Sequence, residues 1–413
     1  MIPFELRRFA ARLCSGSKTG KRRRSRPRRG FVQPLESRVM LSVGLVEDIN
    51  TFGLRSNPNF LTDVNGTLYF TAHDGTNGSE LWKSDGTSAG TVLVRDIYNG
   101  STNSNPKYLT NVNGTLYFRA NEGTTGVELW KSDGTSAGTV LVMDIGSGAS
   151  DSSPQFLTNV NGTLYFRATD GITGDELWRS NGTSAGTVLV RDINNSGTIA
   201  SAPQSLTNVN GTLYFRANDG TNGYELWKSD GTSDGTVLVR DIRGGSTNSN
   251  PKYLTNVNGT LYFQATDGTN GYELWKSDGT SAGTVLVRDI YNGSTNSNPK
   301  YLTNVNGTLY FRANEGTNGD ELWKSDGTSD GTVLVMDINS GATTSMPQFL
   351  THVNGTLYFQ ANDGITGYEL WRSDGTNGTE LWQSDGTSAG TVLVRDIQSR
   401  INTSDEGGGQ GPA

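Results

Sequence analysis

Carboxylates at a fixed spacing are the residues of this chain that could do chemistry. Glu80, Asp85 and Asp96 return 193 positions later as Glu273, Asp278 and Asp289. Hard cations take such oxygens, so calcium is the cofactor they would suit, although no segment has EF-hand spacing. A glycosidase or lyase would need two carboxyl groups about 5 to 10 Å apart with unlike acidities, and equivalent copies offer sameness instead. The plainer reading of Asp85-Gly86 and its copies is turn formation through an Asx hydrogen bond.

Other chemistries are excluded by composition. His73 and His352 are the only histidines, and each stands where most other repeats have Asn, as a turn variant. Cys14 is the only cysteine. Zinc sites and Ser-His-Asp or Cys-His nucleophilic centres therefore have no residues to build on. The chain is expected not to be an enzyme.

Contact residues are a different matter, because they stand where the repeats differ. Tyr224, Tyr272 and Tyr368 precede Glu-Leu-Trp where other copies have Ser, Val or Asp. Tyr98, Arg243 and Tyr291 follow the last strand of a repeat where others have Gly or Asn. Tyr and Arg on a loop rim make good contacts, and drift at exposed positions is the competing explanation.

The elements that must carry these residues follow from a period. The tryptophans Trp82, Trp130, Trp178, Trp227, Trp275, Trp323 and Trp371 are 48 or 49 residues apart. Such a period marks stacked supersecondary units, none able to bury its apolar face alone. Within residues 251–298, `KYLTNV` meets `TLYFQA` across Asn258-Gly259, the strongest short hairpin signal, since both turn residues must accept positive φ. `TDGTNG` then leads into `YELWKS`, and `DGTSAG` into `TVLVRDI`. Three tight connections and one long crossing describe a four-stranded antiparallel blade whose first strand is innermost and whose last is outermost. `LYF` and `VLV` are apolar in succession, as strands covered on both faces are. Trp is then packing between blades.

`GTLYF` occurs seven times, so the expected fold is all-β, a seven-bladed β-propeller at 43–397, with a linear stack of sheets as runner-up. Val43 to Ile49, `VGLVEDI`, copies the fourth strand ahead of the first complete repeat and could clasp the ring shut by completing the last blade. A second Glu-Leu-Trp at Trp382 with its own `TVLVRDI` leaves open which copy closes the ring. In an antiparallel blade the second-to-third turn and the crossing lie at one end. The variable Tyr and Arg positions are thus expected on one rim.

The whole body resembles the bacterial `ELWxxDGT` repeat family, whose members are taken to be surface or secreted propeller-like proteins without an assigned reaction. Glu80 to Thr124 is identical to Glu273 to Thr317, so blades one to three are copies of five to seven. Block duplication supplies equivalent residues, whereas a catalytic centre needs unlike residues converging on one point.

Charge separates the ends from the body. Residues 1–42 hold 12 Lys/Arg against 2 Glu, which leaves 22 against 39 for the rest. An acidic body argues against nucleic acid, which requires a positive field. No run of 18 apolar residues occurs, so no transmembrane helix is expected. The basic leader at 1–42 is expected to be disordered, and so is the glycine-rich tail at 398–413. Leu35 to Ser42 resemble the Leu-Glu-Pro-Arg leader element of exported planctomycete proteins, with Ser37 where that element has proline. The resemblance implies export to the envelope or outside. The expected role is a binding or adhesion scaffold for a protein or glycan at the cell surface. A calcium-stabilised lectin is the first alternative, and a carboxylate-dependent glycosidase or lyase the second.

Overall fold

The computed structural model describes residues 45–374 and the backbone of the strand Thr391–Arg395. The leader, the repeat around Trp382 and the tail lie outside the described residues. The chain divides after Leu45, and all seven sheets belong to the unit that begins at Val46. Among the described residues no helix is long and apolar enough to cross a membrane.

Each repeat forms one four-stranded antiparallel sheet, with its strands in chain order. Blade 5 is representative: Lys252–Val257, Thr260–Ala265, Glu273–Ser277 and Val285–Arg288. Its first hairpin turns on Asn258 (φ 51°) and Gly259 (φ 88°), both in the left-handed region that a type I′ turn demands. The first strands of successive blades lie side by side from Asn59–Val64 in blade 1 to Gln348–Val353 in blade 7. This is a seven-bladed β-propeller with the first strand of each blade innermost.

The outer strand is shorter than its sequence, `TVLVRDI`, suggests. It covers only Val285–Arg288, because the residues on either side give their polar groups to other partners. Thr284 Oγ1 donates to Thr280 O at 2.7 Å and lies 2.8 Å from Ser277 Oγ. Beyond Asp289, the Ile290 N–H donates to the Glu273 carboxylate at 3.0 Å instead of a neighbouring strand.

Blades are joined by a repeated apolar interface. Between blades 4 and 5, Val209, Tyr214, Leu226, Val239 and Ile242 pack against Leu261, Phe263, Ala265 and Trp275. Leu261 and Phe263 face one neighbour while Tyr262, between them, packs in the next interface. That is why `LYF` is apolar without alternation. Polar seams run beside the core: Asn256 Nδ2 donates to Asn208 O at 3.5 Å, Lys228 Nζ to Gly279 O at 3.0 Å, and Arg240 Nη1 to Thr284 O at 2.5 Å.

Six interfaces have this composition, and the flanks of blades 1 and 7 differ. Val353 is 47% exposed where its equivalent Val305 is 6%, and Leu370 is 43% exposed where Leu322 is 0%. On blade 1, Phe70, Ala72 and Trp82 receive Ile49 instead, at the place where Ile97 meets blade 2. Residues 45–49 form no strand, and the seventh sheet takes its fourth strand from Thr391–Arg395. The side chain of Asp63 also breaks the asparagine series, since a carboxyl group has no N–H to give a preceding blade.

Leu226→Ala should cost about 2–5 kcal/mol, the range for emptying a fully buried leucine site. Leu370→Ala, at the equivalent but half-open position, should cost less than half as much. Urea midpoints of the two variants make the comparison.

Candidate functional site at the crossing end

The end of the blades that carries the crossings is organised by a buried glutamate. Glu80 is 0% exposed and accepts three hydrogen bonds from the crossing that leaves its blade. These come from Ile97 N at 3.0 Å, Ser104 N at 2.7 Å and Ser104 Oγ at 2.5 Å. Glu273 repeats the set with Ile290 and Ser297, and Glu128, Glu176, Glu225 and Glu321 do likewise in their blades. Burial pushes the carboxyls of Glu80, Glu176, Glu225, Glu273 and Glu321 up to about 7, against the lowering effect of those bonds.

The six carboxylates singled out from sequence do not converge. Asp96 lies close enough to Glu80 for its charge to raise the glutamate further, and Asp289 stands in the same relation to Glu273. Asp96 Oδ2 accepts from Gly100 N at 2.9 Å and Asp289 Oδ2 from Gly293 N at 2.9 Å, while the other oxygen of each is buried without a partner. Asp85 and Asp278 sit at the opposite end of the strand, in the third-to-fourth turn. Asp85 Oδ1 accepts from Thr87 Oγ1 at 2.7 Å and Thr87 N at 2.9 Å, bonds that hold its carboxyl below the usual range. Among the described residues no three His, Cys, Asp or Glu side chains gather to hold a metal ion. Both histidines accept a turn N–H: His73 Nδ1 from Gly75 at 2.8 Å and His352 Nε2 from Gly355 at 2.9 Å.

The variable residues are placed by the same crossings. Tyr98, half-buried, lies over the second-to-third turn of blade 2, where a Cβ on Gly123 would come within 2.4 Å of its ring. Tyr291 stands likewise over Gly316, and exposed Arg243 over Gly268. Tyr224 and Tyr272 donate their backbone N–H groups to Asn248 and Asn296 of the crossings, each at 2.8 Å. The Tyr272 hydroxyl accepts from Asn250 Nδ2 at 3.2 Å. Tyr368 is 48% exposed and lines, with Phe349, Tyr358 and Leu370, a 360 Å³ pocket on the open face of blade 7.

Sequence reasoning missed a second group at this end. The second strand places Arg119, Arg167, Arg216 and Arg312 beside the start of the inner strand. Each inner strand carries a bulge whose residue has positive φ, among them Tyr108 (58°), Phe156 (56°) and Tyr301 (57°). That conformation is an outlier for a bulky side chain. It brings these rings under the guanidinium groups of Arg119, Arg167 and Arg312 at 4.9, 5.2 and 5.1 Å. Arg216 instead stacks on Tyr224 at 4.7 Å, and burial lowers its pKa. The available signal was variation inside `TLYFxA`, where x is Arg in four blades, Gln in two and Thr in one.

No family model matches the chain, and no curated protein matches it. Among solved structures it is similar to a prolyl endopeptidase, at 12% identity and a TM-score of 0.47, over 79% of this chain and 50% of that one. It is also similar to a puromycin-hydrolyzing peptidase of Mycobacterium tuberculosis, at 11% identity and a TM-score of 0.43, over 79% of this chain and 53% of that one. This chain thus spans about half the length of each. Identity of this size says nothing of shared substrates.

The glutamates make stability depend on pH. Their carboxyls bind protons more tightly folded than unfolded, so the stability they contribute is complete below about pH 4.5 and declines as pH rises through about 7. The melting temperature should therefore be lower at pH 8 than at pH 5.5. Glu225→Gln should flatten that slope by one titrating group. It should also cost about 1–3 kcal/mol, because its amide nitrogen leaves a buried N–H donor unmatched.

Proposed function

We propose that this protein is a non-enzymatic binding scaffold, carried to the cell envelope or outside, that engages a protein or glycan through the crossing end of its propeller. The observation that carries this reading is a division of labour at that end. The invariant Glu80-type carboxylate of blades 1–6 is spent on backbone donors of the crossing, while the residues that differ between blades, such as Tyr98, Arg243 and Tyr291, stand on the loops above it. Equivalent, already-bonded carboxylates are poor material for acid–base catalysis, which needs an unlike pair. Tyr and Arg are the side chains that dominate binding energy when they fill a partner's pockets. The resemblance to the `ELWxxDGT` family and the leader element support a surface location.

A second reading, calcium-stabilised glycan binding, is favoured by the buried and unpartnered Oδ1 atoms of Asp96 and Asp289 beside Glu80 and Glu273. It predicts a rise in melting temperature on adding calcium that a chelator reverses, since a cation bound only by the folded state stabilises it. No shift would remove this reading.

The scaffold reading is tested on full-length protein screened against cell-envelope proteins and a glycan array. The triple variant Tyr98→Ala, Arg243→Ala, Tyr291→Ala should keep its melting temperature and lose at least 10-fold in affinity for any partner found, about 1.4 kcal/mol or more. Undiminished binding would remove the rim from the site.

A further inference from the structure

The basic residues of the body sort into those with a structural task and those without. Lys83, Lys131, Lys228 and Lys276 each donate to a glycine carbonyl in the next blade, and Arg95, Arg191, Arg240 and Arg288 each donate to a threonine carbonyl there. These eight side chains hold blades together. Lys107, Lys252 and Lys300 do nothing of the kind: they open the inner strands of blades 2, 5 and 6 and make no hydrogen bond or ion pair with any described residue.

Their neighbours make this arrangement costly. Lys107 is the direct cross-strand partner of Arg119, and Lys300 of Arg312. Like charges facing each other across an antiparallel pair are destabilising. Blade 5 sets Lys252 against Gln264, whereas blades 3 and 4 reverse the order, setting Gln155 against Arg167 and Gln204 against Arg216. At the same place blade 1 has Asn59 and Thr71, and blade 7 has Gln348 and Gln360. Seven of the 22 basic residues outside the leader thus stand at one register position, in the five consecutive blades 2 to 6. Asp175 and Asp320, each 3.5 Å from an arginine Nε, answer only two of them.

The position lies where the inner strands, side by side, begin at the crossing end, so the cations form a collar around the inner mouth. Outside it the same end is acidic, with Asp219 and Asp267 in the second-to-third turns and Asp241 and Asp289 after the outer strands. A long polyanion laid across this end would meet that acidic ring. A compact one would meet only the collar, where low-dielectric walls concentrate the field. Arg119, already fixed flat on Tyr108, loses little freedom on gripping an oxyanion, whereas Arg167 and Arg312 are held by Asp175 and Asp320 and add only their field.

We propose that the inner mouth of blades 2 to 6 binds a compact, multiply charged oxyanion, bearing phosphate or carboxylate groups, through Lys107, Lys252, Lys300 and Arg119, which stacks on Tyr108 beside Lys107. The collar is separate from the outer Tyr98, Arg243 and Tyr291, so it stands whether or not those loops hold a macromolecular partner.

The test is calorimetric titration of the full-length protein at low ionic strength with inositol hexakisphosphate, with citrate, and with uncharged inositol. Binding of either anion and not of inositol is expected, and which anion binds distinguishes a phosphate from a carboxylate ligand. Lys107→Gln with Lys300→Gln should weaken binding at least 10-fold and reduce its salt dependence, while the melting temperature holds or rises as the repulsion with Arg119 and Arg312 is relieved. Arg243→Gln removes a charge from the outer rim and should leave binding unaltered. Failure of both anions to bind would overturn the proposal. So would an equal loss from Arg243→Gln, which marks a response to net charge, or undiminished binding by the double lysine variant, which assigns the anion to the basic leader.

Discussion

No blade of this propeller can bury its own faces, and every other feature depends on how that need is met. A four-stranded sheet of about 48 residues presents Val, Tyr, Leu, Val and Ile on one side and Leu, Phe, Ala and Trp on the other. Each set is a fit for the opposite set on a neighbour, so stacking buries both at once, and large apolar side chains such as Phe215, Phe263 and Leu226 are fully buried in these interfaces. At about 25 cal/mol per Å² of apolar surface removed from water, these joints are the main source of stability for sheets that would be marginal alone. Lysine and arginine then find their partners across the joint, on carbonyls of the next blade, which fixes the stagger as well as the contact.

The buried glutamate depends on those joints and extends their effect to the loops. Its carboxylate gathers Ile97 and Ser104, residues 17 and 24 positions away, and so ties both ends of the crossing to the third strand. A crossing held at both ends delivers the following inner strand to the same place in each blade. What is left between those fixed ends is free to vary, and there Tyr98, Gly146, Asn194 and Arg243 occupy equivalent positions. Rigidity in the framework and diversity on the loops are two consequences of one staple.

Charge follows the same geometry. Acidic side chains serve as turn acceptors, where an ionised oxygen satisfies two backbone donors at once, as Asp267 does for Thr269 and Asn270 at 2.8 and 2.9 Å. Turns are peripheral, so acidity is distributed over the ends of the molecule. Cations are needed across the joints, and half of those left over stand at one paired position of the first and second strands in blades 2 to 6. Net charge alone conceals this partition.

The sequence by itself determined the period, the four strands per unit, the type I′ turns at Asn-Gly and the burial of tryptophan. These rest on local causes: a positive φ that Asn and Gly accept, a spacing of apolar residues, and a repeat too short to fold alone. It also placed the variable Tyr and Arg residues at one end, because antiparallel order alone decides which turns are neighbours. Tertiary structure decided the rest. That Glu80 is a staple, that the outer strand stops at Arg95, that Ile49 seats on blade 1, and that Lys107 faces Arg119 all depend on which residues meet across bulged registers or between blades. A one-residue bulge changes such partners without leaving a mark in composition or period, so these contacts become legible only when the blades are assembled.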